Sequence, residues 1–350
     1  MFQEQVKNTP LNQLGEFGLI KHLTQNLALH HKSSIKGVGD DAAVIRPNDD
    51  KEILVSSDML IEGIHFDVTY MPMKHLGYKA AVVNFSDIYA MMGQPKQMLV
   101  SMAVSSKYTV EALEELYEGI MLACKTYNVD LVGGDTTSSV YGLNISITVI
   151  GEATKEGAVY RNTAQKGDLI IVSGDLGGAY MGLQILEREK AVFKENPAIQ
   201  PDLQGFDYIL ERQLKPEARK DVVAKLIDAG IRPTSMIDIS DGLSSEIMHL
   251  CTQSSLGCKL YEDKLPIDPL TYNVAREFDL DPTTCALNGG EDYELLFTIP
   301  QTDFEKIKND PDLTIIGYMT DASDEHLLVD KSGGVHELKA QGWKVFNGNN

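Results

Sequence analysis

Cysteine is scarce and unpatterned in this 350-residue chain: Cys124, Cys251, Cys258 and Cys285 form no CxxC pair and have no histidine-rich neighbourhood. That argues against a zinc site or a redox motif and for buried free thiols. Basic residues are also short. The 31 Lys and Arg against 51 Asp and Glu leave a formal net charge of −20, which argues against nucleic acid, whose binding depends on basic side chains neutralising phosphates. No apolar run approaches the roughly 20 residues of a membrane span. The first twenty residues carry Glu4, Lys7 and Glu16 among scattered apolar positions, not the basic-then-apolar order of a secretory signal. A cytoplasmic protein is the expectation. Nowhere does Gly-Lys precede Ser or Thr, so any nucleotide site must be built without a P-loop.

What is present is an ordinary globular composition, 43% hydrophobic and 23% charged, in a chain long enough for two domains with their own cores. Leu14, Phe17, Ile20, Leu23 and Leu27 recur at helical spacing, which predicts a helix over 14–30. Further helices are expected at 78–92, 109–127 (with Thr109 as cap), 178–189, 206–214, 216–229 and onward from Gly242. Strands are expected at 42–45, 53–56, 98–104, 130–132, 143–150, 169–172, 235–239, 257–262, 293–299, 313–318 and 326–329. A loop rich in Gly, Thr and Lys at 151–167 sets the domain boundary near residue 155, giving domains of 1–155 and 156–350. Helices and strands interleave without a clean βαβ series, so two α+β domains fit better than one doubly wound sheet.

The chemistry lies in short clusters that set acids beside glycine or hydroxyl groups. They are Gly39-Asp40-Asp41, Ser56-Ser57-Asp58, Asn84-Phe85-Ser86-Asp87, Gly133-Gly134-Asp135-Thr136-Thr137, Asp238-Ile239-Ser240-Asp241-Gly242 and Gly289-Gly290-Glu291-Asp292. Hard divalent cations such as Mg²⁺ take carboxylate and hydroxyl oxygens and bridge to substrate phosphates. Gly37-Val38-Gly39-Asp40-Asp41-Ala42 superficially fits a dinucleotide fingerprint, but Ser33–Lys36 is a poor preceding strand and two aspartates would face the pyrophosphate. Asp40 and Asp41 are adjacent on extended chain, so only one of them points into a given site. Asp87 is the sharper signal. It lies with Asn84 on one face of a helix that is apolar nearly all round, where a carboxylate is costly unless paired or metal-bound. The competing structural reading of each cluster is a turn, a helix cap (Asp241) or a surface ion pair (Arg161). His65 and Trp343 are weak signals taken singly.

The ordered set of motifs resembles the thiamine-monophosphate kinase family, within the superfamily of aminoimidazole ribonucleotide synthetase and selenophosphate synthetase. The match runs from Gly15-Glu16-Phe17 through the clusters above, His65-Phe66 and Arg161, to Gly289-Gly290-Glu291-Asp292-Tyr293-Glu294-Leu295 and Gly342-Trp343. The resemblance implies a two-domain α+β fold, a homodimer built through strands of the N-terminal domain, and use of ATP and Mg²⁺ to convert thiamine monophosphate to thiamine diphosphate. By position it assigns Asp41, Ser56, Ser57, Asp58, Asp87, Asp135, Asp238 and Asp241 to metal sites. It assigns Gly134, Asp135, Arg161 and Ser240 to the nucleotide, and His65, Glu291 and Trp343 to the thiamine phosphate pocket. Asp87 and Asp238 are the expected catalytic positions. Ser57 stands where many relatives carry Thr, and the hydroxyl survives. The rival readings are a sister enzyme resembling aminoimidazole ribonucleotide synthetase and a non-catalytic Mg-nucleotide-binding protein. A selenophosphate synthetase is expected to carry a reactive Cys or selenocysteine in its N-terminal segment, and Met1–Lys36 has no Cys.

Overall fold

The computed structural model describes residues 33–36, 39–46, 50–322 and 325–340, so the helix expected at 14–30 and Trp343 lie outside the described residues. Two sheets follow one another along the chain. The first contains β1 (Ser34–Lys36), β2 (Ala43–Ile45), β3 (Lys51–Ile61), β4 (Gln94–Val104), β5 (Asp130–Ser138) and β6 (Leu143–Thr154), in the order β1-β2-β3-β6-β4-β5. Only β4 and β5 run parallel. Alternation on β6 is regular, with Leu143, Ile145, Ile147 and Val149 fully buried and the residues between them half-buried. One face is therefore core and the other is not.

The core face is covered by α1 (Met73–Ala90), and α1 is packed in turn by α2 (Val110–Tyr127). α1 is buried nearly all round from Leu76 to Ala90, as its sequence leads one to expect. Glycines let the two helices meet backbone to backbone: a Cβ on Gly77 would stand 1.9 Å from the Leu116 carbonyl oxygen, and one on Gly119 would stand 1.9 Å from that of Lys74. Thr109 caps α2 as expected, its hydroxyl accepting from the Ala112 amide at 3.3 Å.

The second sheet has the order β13-β12-β9-β11-β7-β10-β8. Its elements, in chain order, are β7 (Leu169–Ser173), α3 (Gly178–Glu195), α4 (Asp207–Leu214), α5 (Lys220–Asp228), β8 (Ser235–Asp238), α6 (Leu243–Ser254), β9 (Gly257–Tyr261), α7 (Pro269–Glu277), α8 (Pro282–Asn288), β10 (Leu295–Ile299), α9 (Phe304–Ile307), β11 (Leu313–Thr320), β12 (His326–Val329) and β13 (Val335–Glu337). The two sheets share a core. Phe85 and Ile88 of α1 belong to the same buried cluster as Met236 on β8 and Phe297 on β10. That continuity brings the C-terminal half of α1 beside the end of β8.

Three expectations need correction. Ser34–Lys36 does form a strand, because it pairs with β2 at the sheet edge. Gly133–Thr137 does not follow a strand but lies inside β5, since pairing with β4 continues to Ser138. The expected helices do not include α7, α8 or the short α9, although Asp268 and Asp281 cap α7 and α8 and Pro occupies their first turns. The four cysteines are free and buried, as expected.

Candidate active site

Three carboxylates from remote segments converge. Asp41 precedes β2, Asp87 lies near the end of α1, and Asp238 ends β8. One oxygen from each lies within 4.8 Å of the others, with Asp41 and Asp238 buried and Asp87 half-buried. Such a group is self-repelling. Removal from water, followed by the charges of Asp58, Asp238 and Asp41, drives Asp87 well above the usual carboxylate range. Removal from water and then Asp41 push Asp238 up to about 8. Two hydroxyls oppose this: Ser56 donates to Asp87, and Ser86 donates to Asp238 at 2.6 Å. Asn84 accepts from the Asp58 amide through its Oδ1 at 3.0 Å, which ties β3 to the same turn of α1.

Asp41 is fixed from behind. Arg161 forks onto it, Nε to Oδ2 at 2.8 Å and Nη2 to Oδ1 at 2.7 Å. Asp40 lies between Lys36, 3.4 Å away, and the Arg161 backbone amide, from which it accepts at 3.5 Å, and burial followed by the Asp41 charge raises it to about 6. Of the adjacent pair, Asp41 therefore joins the cluster. An all-oxygen donor set with unfavourable mutual charge suits a hard divalent cation such as Mg²⁺. Beyond it, the Glu291 carboxylate is ion-paired with Lys79 Nζ at 3.0 Å and accepts from Gln213 Nε2 at 2.8 Å. The pKa of exposed His65 is lowered, chiefly by desolvation of its ring, with the Glu291 charge opposing and that of Lys79 adding.

Comparison with known proteins places the chain in a family. Residues 39–153 match the family described as AIR synthase related protein, N-terminal domain. The chain is 33% identical over 341 residues to the thiamine-monophosphate kinase of Bacillus subtilis, covering 95% of this chain and all of that one. It is 34% identical over 337 residues to that of Aquifex aeolicus, covering 96% and 99%. It also superposes on a solved structure of AaThiL complexed with AMPPCP and TMP, with a TM-score of 0.81, 32% identity, and coverage of 97% and 99%.

The chain belongs to the thiamine-monophosphate kinase family.

Of the positions that the resemblance to thiamine-monophosphate kinases assigns, Asp41, Ser56, Asp58, Asp87, Arg161 and Asp238 gather at one place. Ser240, Asp241 and Glu291 sit at its margin. The Ser240 carbonyl accepts from the Glu291 amide at 2.6 Å, and the Asp241 amide donates to Glu246 Oε1 at 3.1 Å. Asp241 is not the cap of α6, since Gly242 stands between them.

Ser57, Gly134 and Asp135 are placed elsewhere. Across the sheet, Asp135 pairs with Ser101, Ser101 with Ser146, and Ser146 with Met59. That row lies on the face opposite the helices, as does Ser57, whose hydroxyl is 2.9 Å from that of Thr148. Gly134 lies three strands from Asp58, about 14 Å away by strand spacing. Its role in the fold is close approach, because a Cβ there would come 1.8 Å from the Val100 carbonyl oxygen. Lys79, Gln213 and Glu246 were missed by sequence reasoning. A lone lysine inside the apolar run Leu76–Ala81 was the available signal for the first.

Proposed function

We infer that this chain transfers the γ-phosphoryl group of ATP to the phosphate of thiamine monophosphate, giving thiamine diphosphate. The single observation that carries the reading is the convergence of Asp41, Asp87 and Asp238 from separate segments, in a chain that belongs to this family. AaThiL was solved with AMPPCP and TMP together, consistent with one cleft that accepts both substrates. Mg²⁺ held by Asp41, Asp87 and Asp238, with Asp58 and Asp241 adjacent, would supply charge neutralisation between the two anionic substrates.

The chain's own residues then position and exclude. The acceptor phosphate has a second pKa of about 6, so its oxygen is ionised at neutral pH and needs no general base. The work left is alignment and electrostatics, as in phosphoryl transfer generally. Arg161 orients Asp41 through its two-pronged contact, while Ser56 and Ser86 fix the rotamers of Asp87 and Asp238. In this reading Ser240, Arg161 and Gly134 serve the nucleotide, and His65, Glu291 and Trp343 serve the thiamine end. Ser57 and Asp135, which the resemblance assigns to metal positions (Asp135 also to the nucleotide), lie on the outer face of the first sheet, away from Asp41, Asp87 and Asp238.

That outer face supports a homodimer. Met59 is 55% exposed and Val132 57% exposed on it, beside half-buried Val55 and Leu99. The reading divides the chain into domains of 1–155 and 156–350 and places the enzyme in the cytoplasm. Among the described residues no helix is long and apolar enough to cross a membrane.

The test is incubation of the protein with ATP, Mg²⁺ and thiamine monophosphate, followed by chromatography for thiamine diphosphate. Product is expected only with all three. Mg-ATP binding without product would sink the assignment. Trp343→Ala is expected to raise KM for thiamine monophosphate far more than KM for ATP.

A further inference from the structure

Lys79 is an unusual residue for the interior of α1. It is 1% exposed, in a stretch otherwise made of Leu, Gly, Tyr, Ala and Val. A buried ammonium is costly unless its donors are met by good acceptors. Its Nζ meets two, the Gln213 carbonyl oxygen at 3.0 Å and Glu291 Oε1 at 3.0 Å. Gln213, itself buried, uses its side-chain amide on the other oxygen of the same carboxylate, 2.8 Å away. Glu291 is thus gripped through both oxygens from the protein side, while its side chain stays 32% exposed on the other side. Its backbone sits at φ 59°, a left-handed conformation that a glutamate adopts only when its surroundings dictate it.

We propose that Lys79 and Gln213 form a clamp that positions Glu291 as a charge-compensated acceptor for the N–H groups of the organic half of the acceptor substrate. The proposal rests on the reading of Glu291 as a thiamine-pocket residue. A carboxylate has about four lone-pair directions, so two inward bonds leave about two facing the cleft. Pairing with Lys79 also cancels its charge. Glu291 can therefore accept hydrogen bonds from a substrate without repelling the phosphate that the same molecule carries. The spacing fits. Lys79 and Asp87 lie eight residues apart on α1, about 12 Å along the helix axis, which separates an organic end at Glu291 from a phosphate end at the acidic cluster. Lys79 and Gln213 are positioning residues, since they act on substrate through Glu291.

The experiment measures KM for thiamine monophosphate, KM for ATP and kcat in full-length Glu291→Gln, Lys79→Met, Gln213→Met and Lys79→Met/Glu291→Gln, with thermal melts as a control on folding. Each single variant is expected to raise KM for thiamine monophosphate by about tenfold, the scale of one hydrogen bond to a charged group, with KM for ATP within about twofold. The double variant is expected to match Glu291→Gln alone, because the clamp has no other route to substrate. Gln213→Met removes no charge and keeps the test open should Lys79→Met fold poorly. If Glu291→Gln raises KM but Lys79→Met and Gln213→Met raise both KM values equally or neither, the clamp is wrong and the pocket stands. If Glu291→Gln itself leaves KM unchanged, the pocket assignment falls and takes the clamp with it.

Discussion

Ser86, near the end of α1, donates its hydroxyl proton to the carboxylate of Asp238 at the end of β8, at 2.6 Å and across 152 residues of sequence. Asp87, the next residue on α1, enters the acidic cluster beside Asp238. One turn of one helix therefore supplies both a bond that steadies Asp238 and a charge that destabilises it. The balance between these two effects governs the predictions that follow.

Cation binding is expected to depend on pH with a definite sign. Asp238 is raised from 3.8 to about 8 in the folded chain, and Asp87 also lies well above the usual carboxylate range. The folded state then binds protons that the unfolded state has released. Without a divalent cation, stability falls as pH climbs from about 4 to about 8. A bound cation favours the ionised form, so the stabilisation by Mg²⁺ over EDTA should be larger at pH 8.5 than at pH 6. Paired thermal melts at the two pH values check this, and an equal increment at both would contradict it.

Asp87→Asn and Asp238→Asn should each lower kcat by at least about 10²-fold, the scale for deleting one preorganised electrostatic group. Neither should lower the melting temperature measured in EDTA. The amide keeps an oxygen for the Ser56 or Ser86 hydroxyl, and above about pH 8 one repelling charge is gone. A variant turning over near the wild-type rate at saturating Mg²⁺ would remove that residue from the site.

Arg161→Met should be the most destabilising single change at the cluster. It leaves the Asp41 carboxylate buried with its two-pronged partner missing, and breaking a buried pair costs about 3–5 kcal/mol. Denaturant midpoints measure it. Asp41→Asn should cost less, because a neutral amide can remain buried beside the guanidinium.

Gly134→Ala should loosen β5 without touching the cluster. The added Cβ meets the Val100 backbone 1.8 Å away, and overpacking of this kind costs about 1–3 kcal/mol. Amide exchange confined to β4 and β5 would report it. Met59→Arg, on the uncovered face of the same sheet, should instead shift sedimentation of the proposed homodimer toward a monomer with the fold retained, and unchanged sedimentation would contradict that dimer face.

Where local chemistry decides structure, the sequence was a sound guide. Thr109 caps α2, α1 reads as buried nearly all round, and the apolar cores of β7, β8 and β10 are visible as short apolar runs. Asn84 and Asp87 share a helix face because three-residue spacing requires it. What could not be read depends on partners brought from afar. Ser34–Lys36 looks poor as a strand until β2 pairs with it. Gly133–Gly134 looks like a turn until β4 supplies a ladder that runs through it. The placing of Ser57 and Asp135 on the outer face follows from strand register, which no single segment encodes. Lys79 was legible only as an oddity, because its meaning lies in Gln213 and Glu291, more than 130 and 210 residues downstream.

The shared core of the two sheets has one consequence for how damage would show itself. A substitution that tilted α1 slightly against β8 would leave each half with its helices, strands and spectroscopic signature, yet pull Asp87 out of register with Asp238. Such a protein would look healthy to circular dichroism while being catalytically silent, so the docking of the halves is what activity reports.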